Sequence, residues 1–199
     1  MTLIVLPSTG RWSEADMQFI TGDTPLELMN GAEQIISSTN KKWAFSFKLI
    51  GLYGVEVRAW RSALTQLCDL GNTFQAPPPD FDGPGSGYAG PNPLVAGSSQ
   101  LGLSVNVDGG SLSTQILANG DYFTINGELK VATADVTTDG TGAATIPFYP
   151  ALRSSPLDNA EVFIDAPFST FRLMQPMSRE HFNAVLHGSR SVEAVETYS

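Results

Sequence analysis

In the run from Lys41 to Ile50, KKWAFSFKLI, the side chains of Trp43, Phe45, Phe47 and Leu49 fall on one face and those of Ala44, Ser46 and Lys48 on the other. A period of two with aromatics on one side predicts a strand with one buried face. Two other runs in the first fifty residues, TLIVL and EQIISS, are strand-like and bounded by polar breaks. Between about Val55 and Leu70 the period changes. Val57, Trp60, Ala63, Leu64, Leu67 and Leu70 recur at three- and four-residue steps, which predicts one amphipathic helix packed on a sheet and ended by Gly71. Cys68 lies beside that stripe and reads as a small buried residue.

Past residue 98 the chain returns to short apolar runs: LSVNV, STQIL, DYFTIN, ELKVATADV, AATIPFY, AEVFID and STFRLM. Turn signals divide them, at Asp108-Gly109-Gly110, Asn119-Gly120-Asp121, Asn126-Gly127 and Asp139-Gly140-Thr141-Gly142. Strands separated by tight turns, with no helix between them, predict an antiparallel barrel or sandwich. Pro147 has no N–H for a ladder, so its strand is expected at an edge or with a bulge. The expected fold is therefore mainly β, an antiparallel β-sandwich or barrel with one helix at about residues 55–70 packed on it. The expected division is an N-terminal β lobe over 1–98, with the helix and a long Gly/Pro-rich loop, a C-terminal barrel or sandwich lobe over 99–176, and a weakly helical C-terminal arm over 177–199.

Composition narrows the function. Of the 199 residues, 42% are hydrophobic and 16% charged, which suits a packed interior, and 19 Gly with 13 Pro suit short strands joined by turns. The net charge of −9 with only 11 Lys and Arg opposes attachment to nucleic acid or to an anionic membrane and points to protein partners. A lone cysteine cannot form an internal disulfide, so nothing asks for an oxidising compartment. The opening MTLIVLPSTG lacks the basic region of a signal peptide, and no run approaches the ~18 apolar residues of a membrane span. Folding in the cytoplasm is the expectation.

The stretch Gly85 to Gly90, GSGYAG, has the G-x-G-x-x-G spacing of a dinucleotide-binding turn. That spacing holds a pyrophosphate only where a strand enters and a helix leaves, and Pro77, Pro78, Pro79, Pro91 and Pro93 forbid both. It reads as part of a long surface loop from Gln75 to Ser98. His181 and His187 share no helical face, so they do not read as metal ligands, and GPGSG sets its serine wrongly for a nucleophile elbow. Asp121, Glu128, Asp135, Asp139, Asp158, Glu161 and Asp165 could supply a paired-acid hydrolase, but none has a locally arranged partner. The acids of DVTTDGTG lack the alternating ligands of a calcium loop and read as turn formers. No catalytic, cofactor-binding or metal-binding residue is assigned, and no cofactor is expected.

Residues 120–173 form a distinctive block. Its pieces are GDYFTING, the TADVTTDGTGAATI hairpin, the PALRSSP turn from Pro150 to Pro156, and APFSTFRL from Ala166 to Leu173. The block resembles a segment of the distal tail protein family of long-tailed bacteriophages, with Ala151 and Asn159 or Ala160 standing where that family has proline and glycine. A fainter likeness covers the helix, Phe74 and GPNPLVAGSSQLG. The resemblance implies a structural virion protein, not an enzyme, located in the tail after assembly in the host cytoplasm. Its implied partners are copies of itself in a ring, typically hexameric, the tail tube protein, and the baseplate hub or tail-tip proteins. Arg153, in the Pro-bounded turn, is either an inter-subunit or loop-bracing ion pair or a solvated side chain. In a ring, the Gly/Pro-rich loop would be an arm that orders on a neighbour. The alternative is a carbohydrate-binding β-sandwich module of a phage tail, with Tyr88, Phe81 and Trp12 as candidate exposed aromatics; in the ring reading, the length leaves no room for an added carbohydrate-binding domain beside the core.

Overall fold

The computed structural model describes residues 2–8, 11–27, 32–38, 41–69, 71–174, 181–182 and 188–197, and the side chains of all of these except 11–12, 181–182 and 188–190. In chain order the elements are β1 (Thr2–Leu3), β2 (Arg11–Ile20), β3 (Thr24–Glu27), β4 (Glu33–Ile36), β5 (Lys42–Leu52), α1 (Val55–Leu67), β6 (Asn72–Ala76), β7 (Leu94–Val95) and β8 (Gly102–Asp108). There follow β9 (Gln115–Leu117), β10 (Tyr122–Ile125), β11 (Glu128–Ala132), β12 (Val136–Thr137), β13 (Ala144–Leu152), β14 (Val162–Phe163), β15 (Ser169–Leu173), β16 (His181–Phe182) and β17 (Gly188–Glu196). The protein is mainly β with one helix, as the alternation predicts.

Two compact units divide the chain, and their limits differ from those read in the sequence. The first joins Met1–Phe74 to Phe171–Thr197, and the second is built from Gln75–Thr170. A boundary at 98/99 would cut β7 away from β8, its ladder partner. The segment read as a weakly helical arm contains β17, a strand held between β15 and β5.

In the first unit one sheet has the order β1-β6-β15-β17-β5-β2, with β16 added beside β17. The predicted alternation in β5 holds: Trp43, Phe45, Phe47 and Leu49 are buried. Across the ladder Val192 stands opposite Phe47 and Ala194 opposite Phe45, so small and large side chains share the core face. Aromatic rings carry that core, with Phe45 to Phe171 at 5.2 Å, Phe74 to Phe171 at 5.8 Å and Phe47 to Trp60 at 6.1 Å between centroids. Trp60, Ala63, Leu64 and Leu67 are the buried stripe of α1. The helix closes at Leu67 rather than Leu70, where the Asn72 side-chain amide donates to the carbonyl of Gln66 at 2.9 Å and occupies a terminal acceptor. Leu70 lies outside the described residues, and Cys68 is half-buried.

The second unit is a nearly closed antiparallel barrel with the sheet order β14-β10-β11-β13-β8-β7. The ends are drawn together because the short β7 segment serves both. Leu94 and Val95 pair with Asp108 and Val107 of β8. On its other side the same segment exchanges bonds with residues near β14: Val95 N–H donates to Ala160 O at 2.9 Å and Val162 N–H to Pro93 O at 2.9 Å. Asn126 and Gly127 join β10 to β11 with φ of 53° and 74°, the left-handed pair that a two-residue hairpin needs. Pro147 sits in an interior strand, not at an edge, and the ladder shifts register between Pro147 and Leu152, so the bulge expectation holds and the edge one does not. Phe123, Phe148, Ile116, Ile146, Val105 and Val162 are among the buried residues that fill the barrel.

Candidate assembly surface

Between β2 and β5 the chain leaves the first unit's sheet as a separate two-stranded hairpin, β3 with β4. Every residue of both strands is exposed, including Leu26 at 46%, Ile35 at 64% and Ile36 at 55%. The register pairs Thr24 with Ile36, Pro25 with Ile35, Leu26 with Gln34 and Glu27 with Glu33. Period two therefore puts Leu26 and Ile36 on one face and Ile35 on the other, so neither face is wholly polar. Glu27 and Glu33 stand opposite each other, a like-charge pair that weakens the far end. At the base, Asp23 accepts the Ser38 N–H at 2.7 Å and meets Lys41 Nζ at 3.8 Å. A free two-stranded ribbon is at best marginal in water, so this one is poised to gain from a third strand.

Among the described residues, the sheet that bears the hairpin has two open edges. One is β2, whose Ala15, Met17 and Phe19 stand opposite Phe47, Phe45 and Trp43 but remain half-buried, with exposed Glu14 and Asp16 alternating between them. The other is β1, parallel to β6, with Leu3 exposed at 49% and Val5, just beyond it, at 85%. Ile4 N–H donates to Thr73 O at 2.7 Å, so alternation turns the backbone groups of Leu3 and Val5 away from β6. A shallow groove of about 320 Å³ also runs over the outer face of this sheet, where the small Ala44 and Ser46 lie between Asp16, Glu193, Ile20 and Met174.

The glycine-rich stretch has a different role from an arm awaiting a neighbour. It is folded onto its own barrel. Tyr88 is buried, and its hydroxyl donates to Pro91 O at 2.7 Å and accepts from the Ser111 N–H at 3.1 Å. Ser86 Oγ donates to Ile116 O, and Gly85 N–H donates to Asp121 at 2.9 Å. A Cβ at Gly90 would collide with Ser111 Oγ and stand 2.6 Å from the Tyr88 ring, so close packing is the reason for glycine there. Asn92 ties the loop down further: its side-chain oxygen accepts the Ile164 N–H, and its amide donates to Glu161 and Asp165 at 2.9 and 2.7 Å.

The carboxylates considered for acid chemistry mostly hold turns. Asp121 also accepts the Ala118 N–H at 2.8 Å, Asp135 the Asn119 N–H at 2.8 Å, and Asp158 the Gly97 N–H at 2.8 Å. Asp139 accepts from the Thr141 hydroxyl, the Thr141 N–H and the Ala143 N–H; these bonds, the hydroxyl first, hold its carboxyl below the usual range. That is the turn-forming aspartate expected of this loop. Glu128 is the exception in kind. Glu128 and Lys130 form a buried ion pair at 2.6 Å, and Lys130 Nζ donates to Ala151 O at 2.9 Å and lies 6.0 Å from the Phe148 ring centroid. The sequence carried a signal for it, since residues two apart on a strand share a face and the facing residues are Ile125 and Phe123.

Burial also raises the Tyr122 phenol above its ordinary pKa, with the Asp80 carboxylate adding to the rise. Arg153 is half-buried. His181 lies in β16 with its side chain outside the described residues, and His187 falls outside them altogether. Among the described residues no group of three or more His, Cys, Asp or Glu is placed to hold a metal ion. Of the aromatics considered for sugar binding, Tyr88 is buried, Phe81 half-buried, and the Trp12 side chain lies outside the described residues. No protein-family model matches the chain, and no curated protein matches it in sequence.

Proposed function

We propose that the chain is a structural subunit of a long-tailed bacteriophage tail, a distal tail protein that closes into a ring, hexameric in its family, between the tail tube and the baseplate or tail-tip hub. The observation that carries this reading is the block over 120–173, whose pieces GDYFTING, TADVTTDGTGAATI, PALRSSP and APFSTFRL occur in one order. Two features of the fold support it. The first unit presents unfinished β edges and an exposed apolar hairpin, surfaces of the kind that other chains complete. The carboxylates that would serve a hydrolase are mostly committed to backbone donors. A ring of identical subunits needs head-to-tail contacts between two different patches of each subunit.

Native mass spectrometry of the purified protein, alone and mixed with tube or hub subunits, tests the reading. A closed oligomer of fixed copy number that binds tube or hub is expected. A monomer at all concentrations that binds neither removes the proposal.

A further inference from the structure

We infer that β4 of one copy adds, as an extra strand, to the open β1 edge of the next copy, so that the hairpin is the donor and residues 3–5 the acceptor of the subunit contact. This rests on the ring reading and specifies its contact. The sheet order puts the two elements at opposite ends of one sheet: β1 is the terminal strand on one side, and the hairpin grows out of the β2–β5 pair on the other. A donor at one end and an acceptor at the other is the arrangement a head-to-tail ring requires.

The choice of donor strand follows from a missing N–H. Pro25 removes one backbone donor from β3, whereas β4, Glu33 to Ile36, has an N–H at every position. The choice of acceptor follows from charge. The hairpin carries Glu27 and Glu33, and the β2 edge carries Glu14 and Asp16, so that pairing sets carboxylates against carboxylates. Residues 2–6, TLIVL, bear no charge, and their outward backbone groups at Leu3 and Val5 are placed to pair with a strand. Pairing there also covers exposed Leu3 and Val5 with Ile35 or Ile36, removing from water apolar surface that each copy leaves open.

Single-cysteine chains test the contact. In a Cys68→Ser background, Val5→Cys chains are mixed with Ile36→Cys chains and oxidised, with Glu14→Cys replacing Val5→Cys in a parallel mixture. A disulfide-linked pair from the first mixture only, together with loss of the oligomer in an Ile35→Asp/Ile36→Asp variant whose far-UV circular dichroism is unchanged, is the expected result. A wild-type oligomer that survives the double aspartate substitution overturns this contact and leaves the ring reading standing. Cross-linking through Glu14→Cys instead overturns the choice of edge. A wild-type chain that stays monomeric with and without tube or hub subunits removes the ring and this contact together.

Discussion

The barrel of residues 75–170 and the sheet of the first unit use similar strands to opposite ends. In the barrel the first and last strands are brought together by β7, and polar side chains such as Asp121, Asp139 and Asn92 are turned onto the unit's own backbone. In the sheet unit β1 and β2 end the ladder, Ala15, Met17 and Phe19 of β2 are only half-covered, and a hairpin projects with apolar side chains in water. Closing a sheet removes the backbone groups that another chain could pair with, and leaving it open keeps them. Sites of recognition are thus expected on the sheet unit, and substitutions in the barrel are expected to act on stability.

The largest effect separating the two units is expected at Lys130 and Glu128. Removing either partner alone, as in Lys130→Ala or Glu128→Ala, leaves an uncompensated charge in the barrel and should destabilise it by about 3–5 kcal/mol, whereas Glu128→Leu with Lys130→Met should come close to neutral. Hydrogen exchange of the β10 and β11 amides in urea measures both. Gly90→Ala should follow, with a cost of about 1–3 kcal/mol, because the added carbon meets Tyr88 and Ser111. Tyr88→Phe should cost about 1 kcal/mol through the lost hydrogen bonds to Pro91 and Ser111, read by the same exchange experiment.

On the sheet unit the expectation reverses. Ile35→Thr with Ile36→Thr should shift stability by no more than about 0.5 kcal/mol while weakening self-association. Trp12, Trp43 and Trp60 all lie in this unit, so tryptophan emission during urea unfolding follows it selectively. The smallest effect is at Asp139. Its folded-state pKa is lowered, so its contribution is present above the unfolded value and lost as pH falls through the folded one. The amide shifts of Thr141 and Ala143 should titrate with a midpoint below about 4, the ordinary aspartate value, and Asp139→Ala should abolish that titration.

The parts of the fold legible in the sequence are those set by neighbouring residues. Alternation marked β5, the three-four spacing marked α1, and Asn126-Gly127 marked the tightest hairpin. What the sequence concealed depends on distant partners. β2 has a period of two in Ala15, Met17 and Phe19, but that phase does not continue to Trp12, because the ladder shifts register between Trp12 and Glu14. β17, with Glu193 and Glu196 among alanine and valine, has weak strand character of its own and is a strand because β5 and β15 flank it. Buried Glu196 shows the same dependence: its carboxylate accepts the Trp43 N–H at 3.1 Å, a contact no local window contains. The docking of the Gly/Pro-rich loop is hidden for a similar reason, since Tyr88 joins a core cluster made largely of residues 105–164.

That β17 lies between β15 and β5 has a consequence for biosynthesis. As the chain leaves the ribosome, Trp43, Phe45 and Phe47 emerge long before Val192 and Ala194, the residues that stand beside them in the finished ladder. Every strand of the barrel except the C-terminal β14 lies before residue 153, and so precedes β17 out of the ribosome by more than thirty residues. The aromatic face of β5 must therefore wait in an incomplete sheet while the barrel between its two halves folds, and it is during that wait that a nascent chain is most exposed to wrong partners.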